Sequence, residues 1–289
     1  MKRNDDKAML RNVFAFGLIV VLACSVFLLQ RPPQEHALNT PLLDEASGLA
    51  RGIKNPNLLY SHNDSGGKNS VYAIDSKGGL IAEIQLPTVK NRDWEEISTS
   101  IDPLSKKPLI YVGDIGDNNA KHKSCRIHIF EEPLIEDSLV VVRDLRTIEY
   151  VYEDGARDAE ALFVEPSSGD IYIISKREEQ VGIYQLPYPQ KSGETLVAKK
   201  LGVMQMNWVT AADISHDGKK VLVKSYGSIK RFKVGGKKDI AKALSKPGKN
   251  MPYLLEPQGE ALCFDSSGKG YFTLSEKSGD KAQILYYYK

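Results

Sequence analysis

Five segments of this chain open with variants of one short phrase: Ala46-Ser47-Gly48-Leu49, Trp94-Glu95-Glu96-Ile97, Ala159-Glu160-Ala161-Leu162, Ala212-Asp213-Ile214 and Gly259-Glu260-Ala261-Leu262. Their second residues, Ser47, Glu95, Glu160, Asp213 and Glu260, fall 48, 65, 53 and 47 positions apart. A recurrence near fifty residues marks a repeat architecture. Two short runs follow each phrase. The first set is Leu58-Leu59-Tyr60, Leu109-Ile110-Tyr111-Val112, Ile171-Tyr172-Ile173-Ile174, Val221-Leu222-Val223 and Tyr271-Phe272-Thr273-Leu274. The second is Val71-Tyr72-Ala73-Ile74, Ile127-His128-Ile129-Phe130, Ile183-Tyr184-Gln185-Leu186, Ile229-Lys230-Arg231-Phe232 and Ile284-Leu285-Tyr286-Tyr287. β-Branched and aromatic side chains, with bounding turns such as Asp64-Ser65-Gly66-Gly67 and Ser167-Ser168-Gly169-Asp170, make these runs strands.

Three or four short antiparallel strands cannot bury both faces of their own sheet. Stacking five such sheets radially buries them and leaves only short edges. The expected fold is therefore all-β, a five-bladed β-propeller, with a one-turn helix at 239–244. A sixth blade would have to fit between Glu95 and Glu160, an interval better read as one blade with a long loop at 118–125. The last repeat has only 30 residues from Glu260 to Lys289. Residues 37–43 are expected to supply its missing outer strand, with Pro41 restricting them to an edge.

Ahead of the repeats, residues 13–29 form an uncharged run that covers about 25 Å as a helix, the lower limit for a hydrocarbon core near 30 Å. Lys2, Arg3, Lys7 and Arg11 precede it and only Arg31 follows closely, which puts the N-terminus in the cytoplasm and the rest outside. An uncleaved signal anchor is the favoured reading. A signal peptide cut after Val21-Leu22-Ala23 and a lipoprotein at Cys24 are the alternatives. The organisation expected is a cytoplasmic stub and transmembrane or signal helix (1–30), a linker (31–36) and a propeller (37–289). That places the protein at a bacterial cell membrane, spanning it once through 13–29, with the propeller facing the periplasm or exterior.

The net charge is +2, and the domain after residue 30 is near neutral, which does not fit nucleic-acid binding. The fourth repeat is locally basic, through Lys219, Lys220, Lys224, Lys230, Arg231, Lys233, Lys237, Lys238, Lys242, Lys246 and Lys249. Such a cluster could meet anionic lipid or phosphate, but it is more often only a solvated sheet edge protected by lysines. Cys125 and Cys263 belong to different repeats and are expected to be buried separately.

First strands line the channel of a propeller, so Glu95, Glu160, Asp213 and Glu260 are expected to converge on one axis. Like charges so placed repel, and burial raises the cost, so a cation, basic partners or protonation must offset them. Calcium suits such a ring because it takes six to eight oxygen ligands in loose geometry. The second strands end at the same mouth and add Asp64, Asp114, Lys176 and Glu276, with Asp117 and Arg177 just beyond, as ligand-binding candidates. Lys176 and Arg177 also offer direct compensation without metal. The competing structural reading has each acid accepting backbone amides from a neighbouring blade. Trp94 and Trp208 read as packing between blades, and His62 and His216 as turn residues. No nucleophilic triad is present, so the catalytic residues are unknown.

The phrases Asp93-Trp94-Glu95-Glu96-Ile97, Tyr111-Val112-Gly113-Asp114-Ile115-Gly116-Asp117-Asn118, Asp158-Ala159-Glu160-Ala161-Leu162 and Gln258-Gly259-Glu260-Ala261-Leu262 resemble those of bacterial extracytoplasmic propellers of the SdiA-regulated family, and more distantly NHL-repeat proteins. The likeness covers about residues 44–289. It implies a five-bladed ring behind a membrane segment and a bound calcium ion. It favours Glu95, Glu160 and Glu260 as channel acids, with Asp213 equivalent and Ser47 departing from the pattern. It implies no reaction. The expected function is binding of a ligand or partner at a calcium-dependent acidic mouth. Calcium-dependent hydrolysis of a phosphate ester or lactone, known for other propellers, and a metal-free interaction scaffold are the alternatives.

Overall fold

The β-branched and aromatic runs form strands, and each recurring phrase lies within a strand that is buried along nearly its whole length. The computed structural model describes residues 32–236 and 239–289. The apolar run at 13–29 lies outside the described residues, among which no helix is long and apolar enough to cross a membrane. Residues Gln34–Tyr288 form one compact unit of all-β structure.

In chain order, β1 (Gln34–Ala37) precedes a first group of β2 (Ala46–Arg51), β3 (Leu58–Asn63), β4 (Ser70–Asp75) and β5 (Leu80–Gln85). The second group has β6 (Trp94–Ile101), β7 (Pro108–Asp114), β8 (Cys125–Glu131), β9 (Leu139–Val141) and β10 (Leu145–Tyr152). The third has β11 (Ala159–Val164), β12 (Ile171–Ser175), β13 (Val181–Leu186) and β14 (Thr195–Met204). The fourth has β15 (Val209–Ile214), β16 (Lys220–Ser225), β17 (Ser228–Lys233), α1 (Ile240–Leu244) and β18 (Lys249–Met251), and the fifth β19 (Gly259–Phe264), β20 (Tyr271–Ser275) and β21 (Ile284–Tyr288). Within each group the strands pair antiparallel in sequence, except that β9 leaves its own group to run parallel to β5. Strands β10 and β14 also pair parallel, joining the second and third groups into an eight-stranded sheet whose end strands, β6 and β11, come back into contact.

The first strands β2, β6, β11, β15 and β19 touch one another in that order, and β19 touches β2. With neighbours on both sides they carry small residues where strands crowd, among them Ala46, Ala161, Ala211, Ala212 and Ala261, all buried. Gly48, at a φ of 73°, shows how close the approach is: a Cβ there would lie 2.8 Å from the backbone nitrogen of Ile97. Outer strands instead alternate buried and open residues, as β10 does. Apolar side chains gather into five clusters, each between two consecutive groups, with the fifth also packed on the first.

The fourth strand of the fifth group is β1, paired Gln34 to Tyr287 and Ala37 to Ile284. Its first three residues fall in the expected linker, and of the expected 37–43 only Ala37 takes part. The reason is that Leu38, Leu42 and Leu43 turn inward to the cluster between the fifth and first groups, which removes 38–43 from the edge. Polar staples reinforce the junctions. The carboxylate of Glu132 accepts the backbone N–H groups of Ile53, Lys54 and Asn55 (3.0, 2.7 and 3.0 Å) and the Tyr60 hydroxyl (2.8 Å), tying the second group to the first. Lys224 is buried rather than part of the basic surface and meets Glu256 at 2.5 Å. Cys125 and Cys263 are free and buried in separate clusters.

Replacing Glu132 by Ala strips three amides and a phenol of their acceptor, a loss of about 3 kcal/mol. The melting temperature of the Glu132→Ala protein is expected to fall by roughly 6–12 °C. An unchanged melting curve would mean that the staple does not hold the junction.

Candidate metal centre

Where each first strand begins, its pairing slips by one residue. The irregularity falls between Trp94 and Glu96 in β6, Ala159 and Ala161 in β11, Val209 and Ala211 in β15, and Gly259 and Ala261 in β19. In β2 it falls between Ser47 and Ala50. A bulge re-aims the extra side chain, and here the extra residues are Glu95, Glu160, Thr210 and Glu260. Thr210, not Asp213, therefore holds the equivalent position in the fourth group. The Ala212-Asp213-Ile214 phrase imitates the others three residues too late. The two positions without an acid act as ties: Ser47 donates its hydroxyl to the carbonyl of Glu95 (2.9 Å), and Thr210 donates to the carbonyl of Gly259 (3.0 Å).

Glu95 and Glu260 meet three further acids from the ends of neighbouring elements. Asp64, just after β3, forms one triad with Asp93 and Glu95, and a second with Glu260 and Glu276; in each triad one carboxylate oxygen from every residue lies within 4.8 Å of the others. Gly116 makes room for the first triad. A Cβ at that position would lie 2.4 Å from Glu95 Oε1 and 2.5 Å from Asp93 Oδ2. Among the described residues, no N–H or O–H group hydrogen-bonds the carboxylates of Asp93 or Glu95. Burial first, and then the neighbouring carboxylates, push Asp93 up to about 6 and Glu276 up to about 8. Glu95 is raised well above the usual range by burial and by Asp64, Asp93 and Glu260. Asp64 is raised mainly by burial.

The two cations that act on the cluster, Arg92 beside Asp93 and Lys176, are already engaged. Lys176 forms an ion pair with Glu160 and donates to the Tyr226 hydroxyl at 3.2 Å, while Tyr226 donates to Glu260 Oε1 at 2.5 Å. Glu160 is thereby compensated by protein, and one of its oxygens, Oε2, is buried without a partner. Arg177 pairs with Asp158 (2.5 Å), bonds Asn118, and lies over the Trp208 ring at 5.3 Å. Trp208, in the left-handed backbone region at a φ of 52°, is 44% exposed and not a packing residue. Asp114 and Asp117 are withdrawn from the cluster. Asp114 accepts the Asp93 amide (3.0 Å) and pairs with Arg92 (3.3 Å), and Asp117 accepts the amides of Lys121 and His122.

A lower tier of acids is fully used by the fold. Asp213 accepts the amides of Phe264 and Ile214 (both 2.8 Å) and pairs with Arg51 at 3.5 Å. Glu96 accepts the amides of Ile97 (3.1 Å) and, from the fourth group, Ala212 (3.0 Å). Asp213 is thus a structural acid and not a candidate ligand. His62 is no turn residue either: it is buried edge-on to Trp94, with its pKa pushed down to about 4 by burial. Asp93, two residues before Glu95, carries little signal of its own because it precedes the strand and an acid stands at that place in only three of the five repeats, as Glu45, Asp93 and Asp158.

The five clustered carboxylates offer only hard oxygen donors, the set preferred by calcium, magnesium and manganese over softer metals. No protein-family model matches the chain, and no curated protein matches it.

The electrostatics fix a pH dependence. A carboxyl with a raised folded pKa keeps its proton after the unfolded chain has lost it near about 4, so stability is lost as pH rises through the folded value. That loss extends to about 6 for Asp93 and about 8 for Glu276. His62 and His128, both pushed down to about 4, act in the opposite sense up to about 6.5. Above about pH 6.5 the histidines add little more, and the opposing contribution of Lys224, held below the usual lysine range by burial, is common to the wild-type chain and the Glu276→Gln variant. The metal-free protein is expected to melt lower at pH 8 than at pH 6.5, with a smaller difference in Glu276→Gln. A melting temperature that rises over this interval would contradict the assignment.

Proposed function

We propose that this chain is an extracytoplasmic five-bladed β-propeller of the kind its phrases resemble, anchored at a bacterial membrane through residues 13–29. We further propose that it captures a ligand or protein partner at a calcium-loaded central mouth. The cycle of five first strands and the five core clusters support the five-bladed reading. One observation carries the metal: two carboxylate triads share Asp64 at the strand ends, and the lysine beside them is committed to Glu160.

Asp64, Asp93, Glu95, Glu260 and Glu276 are the residues that would hold calcium. The ion supplies positive charge that these groups otherwise replace with protons. Around it, Arg177 and the exposed face of Trp208 provide a cationic and an aromatic contact for an incoming group. Metal and rim together favour an anionic or oxygen-rich ligand.

Calcium in excess of its Kd is expected to raise the melting temperature of the full chain by mass action. Asp64→Asn removes the shared ligand and is expected to weaken calcium at least roughly tenfold, the lower end of what loss of an outer partner costs. A full calcium-dependent rise in Asp64→Asn would remove this cluster as the binding site.

A further inference from the structure

Away from the mouth, on the outer edge of the fourth group, a cavity of about 460 Å³ opens among β17, α1 and β18. Arg231, Lys233, Lys242, Lys246 and Lys249 line it, against the single carboxylate of Asp239. None of these five cations makes an ion pair or a side-chain hydrogen bond among the described residues, whereas Lys107, Arg157, Lys176, Arg177, Lys200 and Lys224 are all paired. Lys242 and Lys246 lie four residues apart at the helix, where like charges repel. Cations gathered on one concave surface without internal partners set up a field that draws an external anion.

Strand register places this cavity at a particular end. Lys233 pairs with Lys220, and Val221 with Ile214 at the end of β15. Gln34 pairs with Tyr287, and Tyr271 with Phe264 at the end of β19. The contacts Thr210 to Gly259 and Asp213 to Phe264 align β15 with β19, first residues with first and last with last. Lys233 and Gln34 therefore lie at the same end of the strands, opposite the carboxylate cluster, and on consecutive groups. Only residues 30–33 separate Gln34 from the apolar run, a reach of about 14 Å.

We propose that this basic cavity is a seat for anionic phospholipid headgroups of the membrane from which the chain emerges. The inference rests on the anchored reading above. The seat turns the acidic mouth away from the bilayer. The lining favours a lipid surface over a dissolved anion because its cations are long, mostly exposed side chains rather than a buried cradle of fixed donors. Such charges act on a surface potential within a Debye length of about 8 Å.

The test uses the full chain in nanodiscs of phosphatidylcholine alone or mixed with phosphatidylglycerol, read by hydrogen exchange of backbone amides over 229–251. Phosphatidylglycerol is expected to slow exchange there at least roughly threefold, and the triple variant Lys233→Gln, Lys242→Gln, Lys246→Gln, which changes only exposed residues, is expected to abolish the difference. Equal exchange in both discs overturns the seat. Equal slowing by inorganic phosphate in neutral discs also overturns it, in favour of a soluble anion. A chain that fails to co-elute with neutral discs overturns the anchored reading instead. The seat is then judged by flotation with phosphatidylglycerol vesicles, and absence of flotation overturns it too.

Discussion

Closure of the first strands on themselves is the constraint from which the rest follows. Each of these strands is covered on both sides, so every polar group it carries inward must find a partner inside the protein. The lower tier meets that demand: Glu96 reaches across to the amide of Ala212, and Asp213 holds Phe264, Ile214 and Arg51. Buried acids so supplied are joints between strands that share no sheet. At the upper end the demand is met only in part: the bulges turn Glu95 and Glu260 toward Asp64, Asp93 and Glu276, and of the two only Glu260 keeps a donor, the Tyr226 hydroxyl. Protonation or a cation is what remains to relieve them. The same closure thus yields structural acids at one level and a candidate metal centre one turn of chain above it.

The strands were legible because each repeats a local rule, a short apolar run between turns, and such runs are buried whatever their neighbours. Glu95, Glu160 and Glu260 were legible as a recurrence. Asp213 misled because a bulge is a backbone event: the letters Ala-Asp-Ile match the phrase, yet the slip occurs at Thr210. The pairing of Glu160 with Lys176 was foreseeable from their positions at adjoining strand ends, but the place of Asp64 at the junction of two triads was not. It depends on three groups of strands meeting. Glu132 and Glu256 lie in loops without periodicity, and no pattern announces a residue whose role is to collect a neighbour's amides. The closing strand went unrecognised for a related reason. Gln34–Ala37 is polar and short, as an edge strand is, and it resembles linker until β21 is seen to need a partner.

Charge is divided between the ends of the strands. The acids of the two triads gather where the first strands begin, and the unpaired lysines of the fourth group gather at the end where they finish, the end at which Gln34 also lies. In the proposed arrangement one end is held toward anionic lipid while the other presents a metal-dependent mouth to the solvent. Neither feature is needed for the core, whose five clusters are apolar.

The most direct measurement is calorimetric titration of calcium into the full chain, stripped with chelator and held in detergent at neutral pH, in two buffers of different ionisation enthalpy. The account expects saturable binding near one ion per chain. It also expects a buffer-dependent heat, because carboxyls held protonated by burial and by one another release protons when the ion enters. No saturable heat in either buffer would contradict it, leaving protonation alone to keep the cluster together.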